Sequence, residues 1–129
     1  MKQPFKIGDR KTYSIKVAKD DTASFESGEV HAVYSTFAIG RDAEWAARLF
    51  VLEMKEEDEE GIGTMLSIDH IAPALVGSNV DIVATVDTLE KNEIICSFEA
   101  SVNGRLIARG RAGQKILKKE KLNLIFDEL

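Results

Sequence analysis

The chain has 129 residues, of which 44% are hydrophobic and 30% charged, an ordinary balance for one soluble globular domain. Its net charge of −5 gives no electrostatic footprint for nucleic acid, and its single cysteine, Cys96, excludes an intrachain disulfide framework. No apolar run reaches the ~18 residues of a membrane span, and the amino terminus lacks the apolar segment of a signal peptide. We therefore expect one cytoplasmic domain over residues 1–129, with neither a membrane nor a nucleic-acid partner.

The first third of the chain predicts one strand, a loop and a short extended segment. Residues 11–18 alternate between apolar and polar side chains, as a strand with one buried face does. Residues 19–29 are polar and without a period, which predicts a loop with at most one helical turn. Within it, Phe25 either anchors the loop to the core or forms a wall of a pocket. Residues 30–34 are apolar and extended, and His31 among them has no ligand partner nearby.

Residues 35–54 are the only long segment with the period of a buried helix. Their apolar stripe has the spacing i, i+3, i+4, i+7, i+8 and i+11 and consists of Ala43, Ala46, Ala47, Phe50, Val51 and Met54. Its alanines allow another layer to approach closely. Ser35, Thr36 and Asp42 are all possible N-caps. Because Gly40 disfavours a helix interior, either the regular helix begins near Asp42 or the glycine permits a close contact.

After an acidic loop at residues 55–60, the second half of the chain predicts four strands, at residues 62–71, 79–89, 93–102 and 105–117. The turns between the last three are short, and Asn103-Gly104 is a strong hairpin signal, so these strands must form an antiparallel meander. Cys96 lies in an apolar run and is interpreted as core rather than as a nucleophile. Residues 118–129 predict a short helix or an extension of the last strand, and the helix is favoured. One alanine-lined helix and about five strands predict an α+β fold, with the helix along a curved antiparallel sheet.

Three side chains are candidates for chemistry: Thr36, Glu44 and His70. Each also has a plain structural interpretation, because Thr36 can cap the helix, Glu44 can pair with Arg41 or Arg48, and His70 can be a satisfied core histidine. An unbroken helix would separate Thr36 and Glu44 by about 12 Å along its axis. Either Thr36 precedes the regular helix, or the two residues serve a site assembled with groups from a second chain. Two histidines and one cysteine without ligand spacing predict no metal site.

The candidates belong to a wider pattern, which comprises Thr36, Glu44-Trp45-Ala46, Gly63-Thr64 and His70 within the segment HIAPALVG. Over residues 6–121 this pattern resembles the hotdog-fold thioesterases, and within them the branch that includes the fluoroacetyl-CoA thioesterases. The resemblance implies a long central helix wrapped by a curved antiparallel sheet of about five strands. It also implies a homodimer with active sites at the subunit interface, and leaves open whether dimers pair further.

The same resemblance implies that Thr36, Glu44 and His70 form a catalytic set that hydrolyses a small or medium acyl-CoA to the free acid and CoA. His70 would be the general base, Glu44 would orient it or position the water, and Thr36 would be nucleophile or hydrogen-bond donor. No cofactor is expected beyond the CoA of the substrate. Further substrate contacts are expected from Gly63, Thr64, Phe25 and Arg111.

Two departures from the family pattern shape these expectations. The segment before the helix is shorter than the family's aromatic lid and keeps only Phe25, so selectivity for fluoroacetate is not expected. In the last strand Ala112 and Gln114 replace a histidine and an arginine, which leaves Arg109, Arg111 or Lys115 to contact a phosphate. The alternative functions are a non-hydrolytic acyl-CoA or lipid-binding module, a purely structural dimer, and a dehydratase. The dehydratase is disfavoured because neighbouring residues of a strand, here Asp69-His70, face opposite ways.

Overall fold

The computed structural model describes the backbone of residues 1–25 and 28–129 and the side chains of residues 1–23 and 32–129. In this part of the chain the strands are β1 (Arg10–Lys16), β2 (Thr22–Phe25), β3 (Gly28–Tyr34), β4 (Glu59–His70), β5 (Asn79–Glu90), β6 (Glu93–Val102) and β7 (Arg105–Lys118). The helices are α1 (Thr36–Met54), α2 (Lys119–Asp127) and a single 3-10 turn, Lys19–Asp21.

Five strands form one antiparallel sheet in the order β1-β5-β6-β7-β4. The predicted meander is confirmed, because β5, β6 and β7 are sequential neighbours in this sheet. Its second turn has positive φ at both central residues, 50° at Asn103 and 78° at Gly104, as a tight hairpin of matching twist requires. The helix α1 packs across the sheet and contacts all five strands, which gives the α+β architecture expected of a hotdog fold.

Residues 19–29 are predicted to form a loop with at most one helical turn. The turn is present at Lys19–Asp21, but the loop prediction was wrong for residues 22–25 and 28–29, which lie in strands. After the 3-10 turn, β2 pairs with β3 in a separate two-stranded antiparallel sheet. The register between these strands shifts on either side of Ala23, so the backbone pairing does not follow a regular two-residue repeat. The period that reveals a strand in sequence is therefore missing, and backbone pairing alone defines the element.

The central helix begins after the first of its three predicted N-caps and ends at Met54, as predicted. The Ser35 side chain accepts a hydrogen bond from the Ala38 N–H at 3.0 Å, so Ser35 is the N-cap. All six residues of the predicted apolar stripe are buried. The helix runs unbroken through Gly40, where an added methyl group would lie 3.0 Å from Ile68 Cδ1 and 3.1 Å from Leu66 Cδ2. The glycine thus permits a close approach between α1 and β4 and does not mark a helix start.

The strand β4 lies at one edge of the sheet and exposes several apolar side chains. Apolar side chains along it and just beyond it are exposed, at 36% for Ile62, 37% for Met65, 43% for Leu66 and 51% for Ile71. Its first residue corrects the expectation of a wholly solvated acidic loop, because Glu59 is only 6% exposed and accepts a hydrogen bond from the backbone of the loop. A bare edge with apolar side chains is a surface that proteins usually cover.

The last segment of the chain forms the favoured helix, α2, rather than an extension of β7. Leu122 is its buried residue, and the helix follows β7 directly. Within the described residues, neither helix combines the length and the apolar character that crossing a membrane requires.

Candidate active site

The first turn of α1 meets the end of β4 through two candidate residues. Thr36 Oγ1 lies 2.9 Å from His70 Nδ1, which is hydrogen-bond distance. Both side chains are exposed, so a ligand can reach them. Because Ser35 and not Thr36 caps the helix, the Thr36 hydroxyl is available for this contact. The structure therefore brings together two of the three predicted catalytic residues, which lie 34 positions apart in the sequence.

The third candidate, Glu44, lies further along α1 and contacts β4 at a different point. A methyl group built on Gly63 would be 2.7 Å from Glu44 Oε1, so the carboxylate rests against the backbone of β4 at Gly63. The helix between Thr36 and Glu44 is unbroken, which separates them by about 12 Å along its axis. Within one chain the structure therefore joins Glu44 with Gly63, and Thr36 with His70, but not the two pairs with each other.

The predicted ion pairs of Glu44 with the neighbouring arginines are not formed. Arg41 binds Asp21 and Asp42, and Arg48 binds Glu60 at 2.7 Å. The plain interpretation of Glu44 as half of a helix-surface ion pair is therefore wrong. Its carboxylate is left exposed beside β4, where it can act on a ligand or a second chain.

A group of polar side chains holds the middle of α1 on the sheet, and we call Arg48, Glu60 and Gln114 the mid-helix cluster. Gln114 is 1% exposed, and its Nε2 donates to the Glu44 carbonyl at 3.3 Å. Arg48 Nη1 donates to Gln114 Oε1 at 3.3 Å and to the Gly61 carbonyl at 3.1 Å. These bonds fix the backbone of Glu44 over β4 while leaving its side chain free to extend.

A signal for this cluster is present in the sequence of β7, although it was not part of the prediction. In β7 the core-facing positions alternate with exposed ones, and Gln114 occupies a core-facing position between Ala112 and Ile116. A polar side chain at such a position must find hydrogen bonds inside the protein, so it marks a specific polar contact.

Two predicted substrate contacts face away from α1. Thr64 stands at a register shift between β4 and β7, and its hydroxyl donates to Glu93 Oε2 at 3.2 Å. Arg111 lies on the outer face of the sheet, with its Nε 3.5 Å from Asp87 Oδ2. Asp69 is also on that face, next to Arg109, while His70 faces α1. The opposite orientation of Asp69 and His70 agrees with the sequence argument against a dehydratase.

Two further predictions have different outcomes. The side chain of Phe25 lies outside the described residues, so its predicted role as a pocket wall stays a prediction. Cys96 is 1% exposed, which confirms its interpretation as core. Burial raises the pKa of its thiol to about 12, so Cys96 is not a reactive thiolate near neutral pH. In the described residues no three histidine, cysteine or acidic side chains converge as metal ligands.

A central helix packed on a five-stranded antiparallel sheet is the architecture of a hotdog fold, and the comparisons with known proteins place the chain among the hotdog thioesterases. Over 98% of this chain and 93% of the other, the fold matches a Thermus thermophilus hypothetical protein described as a thioesterase superfamily member, with 36% identity and a TM-score of 0.92. The match to the fluoroacetyl-CoA thioesterase FlK covers 98% of both chains, with 22% identity and a TM-score of 0.88.

The particular family is shown by sequence. The model of the family "FlK: Fluoroacetyl-CoA-specific thioesterase" matches residues 17–120, so the chain belongs to this family and is a thioester hydrolase. A 1,4-dihydroxy-2-naphthoyl-CoA thioesterase from Synechocystis shares the fold at 19% identity, with a TM-score of 0.68 over 86% of this chain and 84% of the other. Among functionally curated proteins, no sequence matches.

Proposed function

We propose that the protein hydrolyses a small or medium acyl-CoA thioester to the free acid and CoA, with His70 as general base. The observation that carries the proposal is the 2.9 Å contact between Thr36 Oγ1 and His70 Nδ1 at an exposed helix start. An imidazole held at this distance can take a proton from the hydroxyl or from a water beside it. The oxygen then attacks the thioester carbonyl, the bond from carbon to sulfur breaks, and the proton passes to the departing thiolate. Attack by water gives the free acid directly, whereas attack by the Thr36 hydroxyl leaves an acyl ester that a water, activated by His70, then hydrolyses to the acid and the free hydroxyl.

The start of α1 supplies the second element of the reaction. The positive end of the helix dipole lies at Thr36, where the carbonyl of a bound thioester would develop negative charge. Preorganised dipoles of this kind stabilise an oxyanion in the transition state. An acyl group placed there would lie against the apolar side chains of β4 that face the helix, Leu66 and Ile68.

The carboxylate of Glu44 joins this site if two copies of the chain pair through β4. The free edge of that strand and its exposed apolar side chains support a homodimer in which the sheet continues from one copy to the other. A two-fold axis near the middle of residues 63–70 would place the partner subunit's Glu44 beside His70, because Glu44 rests on Gly63 and His70 ends the same segment. In that arrangement Glu44 orients the imidazole or the attacking water.

The relatives support a CoA thioester as the substrate class, but they do not share one acyl group. FlK acts on fluoroacetyl-CoA and the Synechocystis protein on 1,4-dihydroxy-2-naphthoyl-CoA, so a CoA thioester is the shared class. The shorter segment before α1 argues against a dedicated fluoroacetate lid, and we propose a small or medium acyl group. Arg111 would reach the phosphates of CoA only around the end of the sheet or in a larger assembly, because it lies on the outer face.

The test is thiol release from a panel of acyl-CoA thioesters of increasing chain length, compared between wild type and two variants. His70→Ala should lower kcat by about 10²-fold or more, because it removes the general base. Asp69→Ala is the matched control, since Asp69 is the adjacent exposed residue and faces away from α1; its kcat should stay within about twofold of wild type.

Two results would contradict the proposal. Full activity in His70→Ala would remove the general base from its assigned role. Binding of acyl-CoA by wild type, detected as a thermal shift, without any thiol release would favour the non-hydrolytic module.

A further inference from the structure

A second group of polar side chains, three of them buried and one exposed, lies just before the site, and the proposed reaction does not use it. We call Asp21, Tyr34, Arg41 and Asp42 the N-terminal cluster. The Tyr34 hydroxyl donates to Asp42 Oδ2 at 2.5 Å, and the two residues are 0% and 5% exposed. Arg41 donates to both oxygens of Asp42, at 3.0 and 3.1 Å, and to Asp21 Oδ1 at 2.8 Å.

The pKa values of Tyr34 and Asp21 are shifted in the directions that keep these hydrogen bonds formed at physiological pH. Burial, together with the bond to Asp42, raises the pKa of Tyr34, so the phenol remains a neutral donor at physiological pH. Burial acts to raise the pKa of Asp21, but the bonds from Arg41 and from the Ala18 N–H outweigh it and hold the pKa below its ordinary value. The cluster is thus a neutral donor and two carboxylates around one guanidinium.

The backbone next to the cluster leads directly to both halves of the catalytic pair. The Ser35 N–H donates to the Asp21 carbonyl at 2.8 Å, immediately before Thr36. The Tyr34 N–H donates to the Ala74 carbonyl at 2.8 Å, four residues after His70. The cluster therefore lies at the junction where the chain entering α1 crosses the chain leaving β4.

The hydrogen bond between Thr36 and His70 is too weak to set this junction by itself. A single hydrogen bond between exposed side chains contributes little net stability, because water competes for both groups and the side chains lose rotamer freedom. Buried, fully partnered polar groups have one arrangement, because any other leaves a charge unpaired in the interior. We therefore expect the buried Tyr34–Asp42 hydrogen bond to fix the position of the first turn of α1. The exposed contact between Thr36 and His70 then depends on that position.

We propose that Tyr34 and Asp42 are positioning residues, whose hydrogen bond fixes the first turn of α1 so that Thr36 Oγ1 meets His70 Nδ1. The catalytic consequence rests on the function proposed above. The geometric consequence does not, because the state of the His70 ring can be observed without turnover.

The test is Tyr34→Phe, which removes one hydroxyl and keeps the buried ring. We expect kcat for the best acyl-CoA to fall about 10-fold, equivalent to about 1.4 kcal/mol, with KM within about twofold. In a Thr36→Ala background the same change should have almost no further effect on kcat, because the contact it positions is already gone. Tyr13→Phe is the matched control; it removes the hydroxyl of the other tyrosine, on β1, and should leave kcat unchanged.

The second readout is the NMR spectrum of the His70 ring nitrogens, assigned with His70→Ala. Tyr34→Phe should move the Nδ1 resonance towards its position in Thr36→Ala, and Tyr13→Phe should not move it. This measurement stands even if wild type releases no thiol from any substrate, so it separates failure of this proposal from failure of the proposed function.

Two outcomes would overturn the proposal: a ring spectrum of Tyr34→Phe that matches wild type, or a loss of kcat that is fully additive with Thr36→Ala. If Tyr34→Phe does not fold, Arg41→Gln carries the same test, because the Arg41 side chain is 61% exposed and holds Asp42 from the solvent side. Its ring spectrum should also shift towards that of Thr36→Ala, and an unchanged spectrum would reject the proposal.

Discussion

The N-terminal and mid-helix clusters hold the same helix, about two turns apart, in different ways. In the N-terminal cluster each oxygen of Asp42 accepts a hydrogen bond, and the residues Asp21 and Asp42 are only 9% and 5% exposed. In the mid-helix cluster Gln114 is buried, but it holds only the backbone of Glu44, and the Glu44 carboxylate stays exposed beside the bare edge of β4. The structure brings Thr36 and His70 together within one chain. In the homodimer proposed above, Glu44 would instead serve the site of the second chain.

The largest effect is expected when two inactive variants are mixed, one lacking Thr36 and the other lacking Glu44. The mixture tests whether these residues serve one site from two different chains. Thr36→Ala and Glu44→Ala should each be nearly inactive alone. Co-expressed in equal amounts, they should recover about a quarter of wild-type kcat, because half of the dimers are mixed and each mixed dimer keeps one intact site. Thiol release from the purified mixture, compared with each variant alone, measures the recovery.

The matched control for mixing is Thr36→Ala with His70→Ala. These residues contact each other within one chain, so no mixed dimer contains an intact pair and no activity should return. Recovery in this control, or its absence in the first mixture, would contradict the division of the site between chains.

The mid-helix cluster is tested by Gln114→Leu, which keeps the volume and removes both hydrogen bonds. The free energy of unfolding should fall by about 1–3 kcal/mol, because Arg48 and the Glu44 carbonyl each lose a buried partner. Urea denaturation measures the change. Lys115→Leu, at the neighbouring exposed position of β7, should change stability by less than about 0.5 kcal/mol. Equal effects of the two substitutions would argue against a specific role of the cluster.

Alanine substitutions at two glycines of β4 distinguish an effect on activity from an effect on stability. In Gly63→Ala the new methyl group displaces only the flexible, exposed end of Glu44, so kcat/KM should fall about 10-fold with little loss of stability. In Gly61→Ala the methyl group would lie 2.6 Å from the buried Val51 Cγ1, so the unfolding free energy should fall by about 1–3 kcal/mol. Thermal melts and initial rates on both variants distinguish the two; the reverse pattern would show that the Glu44 carboxylate is not functional.

The smallest expected effect is the pH dependence of the N-terminal cluster. Because the folded pKa of Asp21 lies below its ordinary value of 3.8, the unfolded chain binds its proton first as pH falls. The stability from Asp21 is therefore present above about pH 4 and lost as pH falls through the folded pKa. Asp21→Asn should flatten the acid side of the stability curve measured by urea denaturation between pH 2 and 6. Arg41→Gln should flatten it likewise, and slopes equal to wild type would contradict the assignment.

Sequence reasoning succeeded where the physical signal is local. The helix over residues 36–54, its buried alanine face and the hairpin at Asn103-Gly104 all follow from periods and turn preferences that a few neighbouring residues carry. It failed for β2, since a short strand with register shifts has no period to read. The role of Gly40 stayed open for the same reason, because its contacts belong to β4 and not to the helix.

For the candidate site too, the sequence predicted which residues are involved but not where their side chains lie. Residue types and spacing selected Thr36, Glu44 and His70, and the resemblance to a family grouped them. They did not reveal that Glu44 rests on Gly63 instead of approaching His70, nor that Arg111 points to the outer face of the sheet. A register shift in β4, between Gly63 and Met65, helps decide which face each later residue of that strand takes, and such a shift arises from pairing with β7.

By itself, the sequence determined the helix, the meander and the residue types available for hydrolysis, because propensity and periodicity act over a few neighbouring residues. Only the tertiary structure decided that Thr36 meets His70, that a buried tyrosine and aspartate stand behind them, and that β4 keeps a free edge. The physical reason is that these features depend on the register and close approach of segments distant in the chain, which are settled when the helix and the sheet pack together.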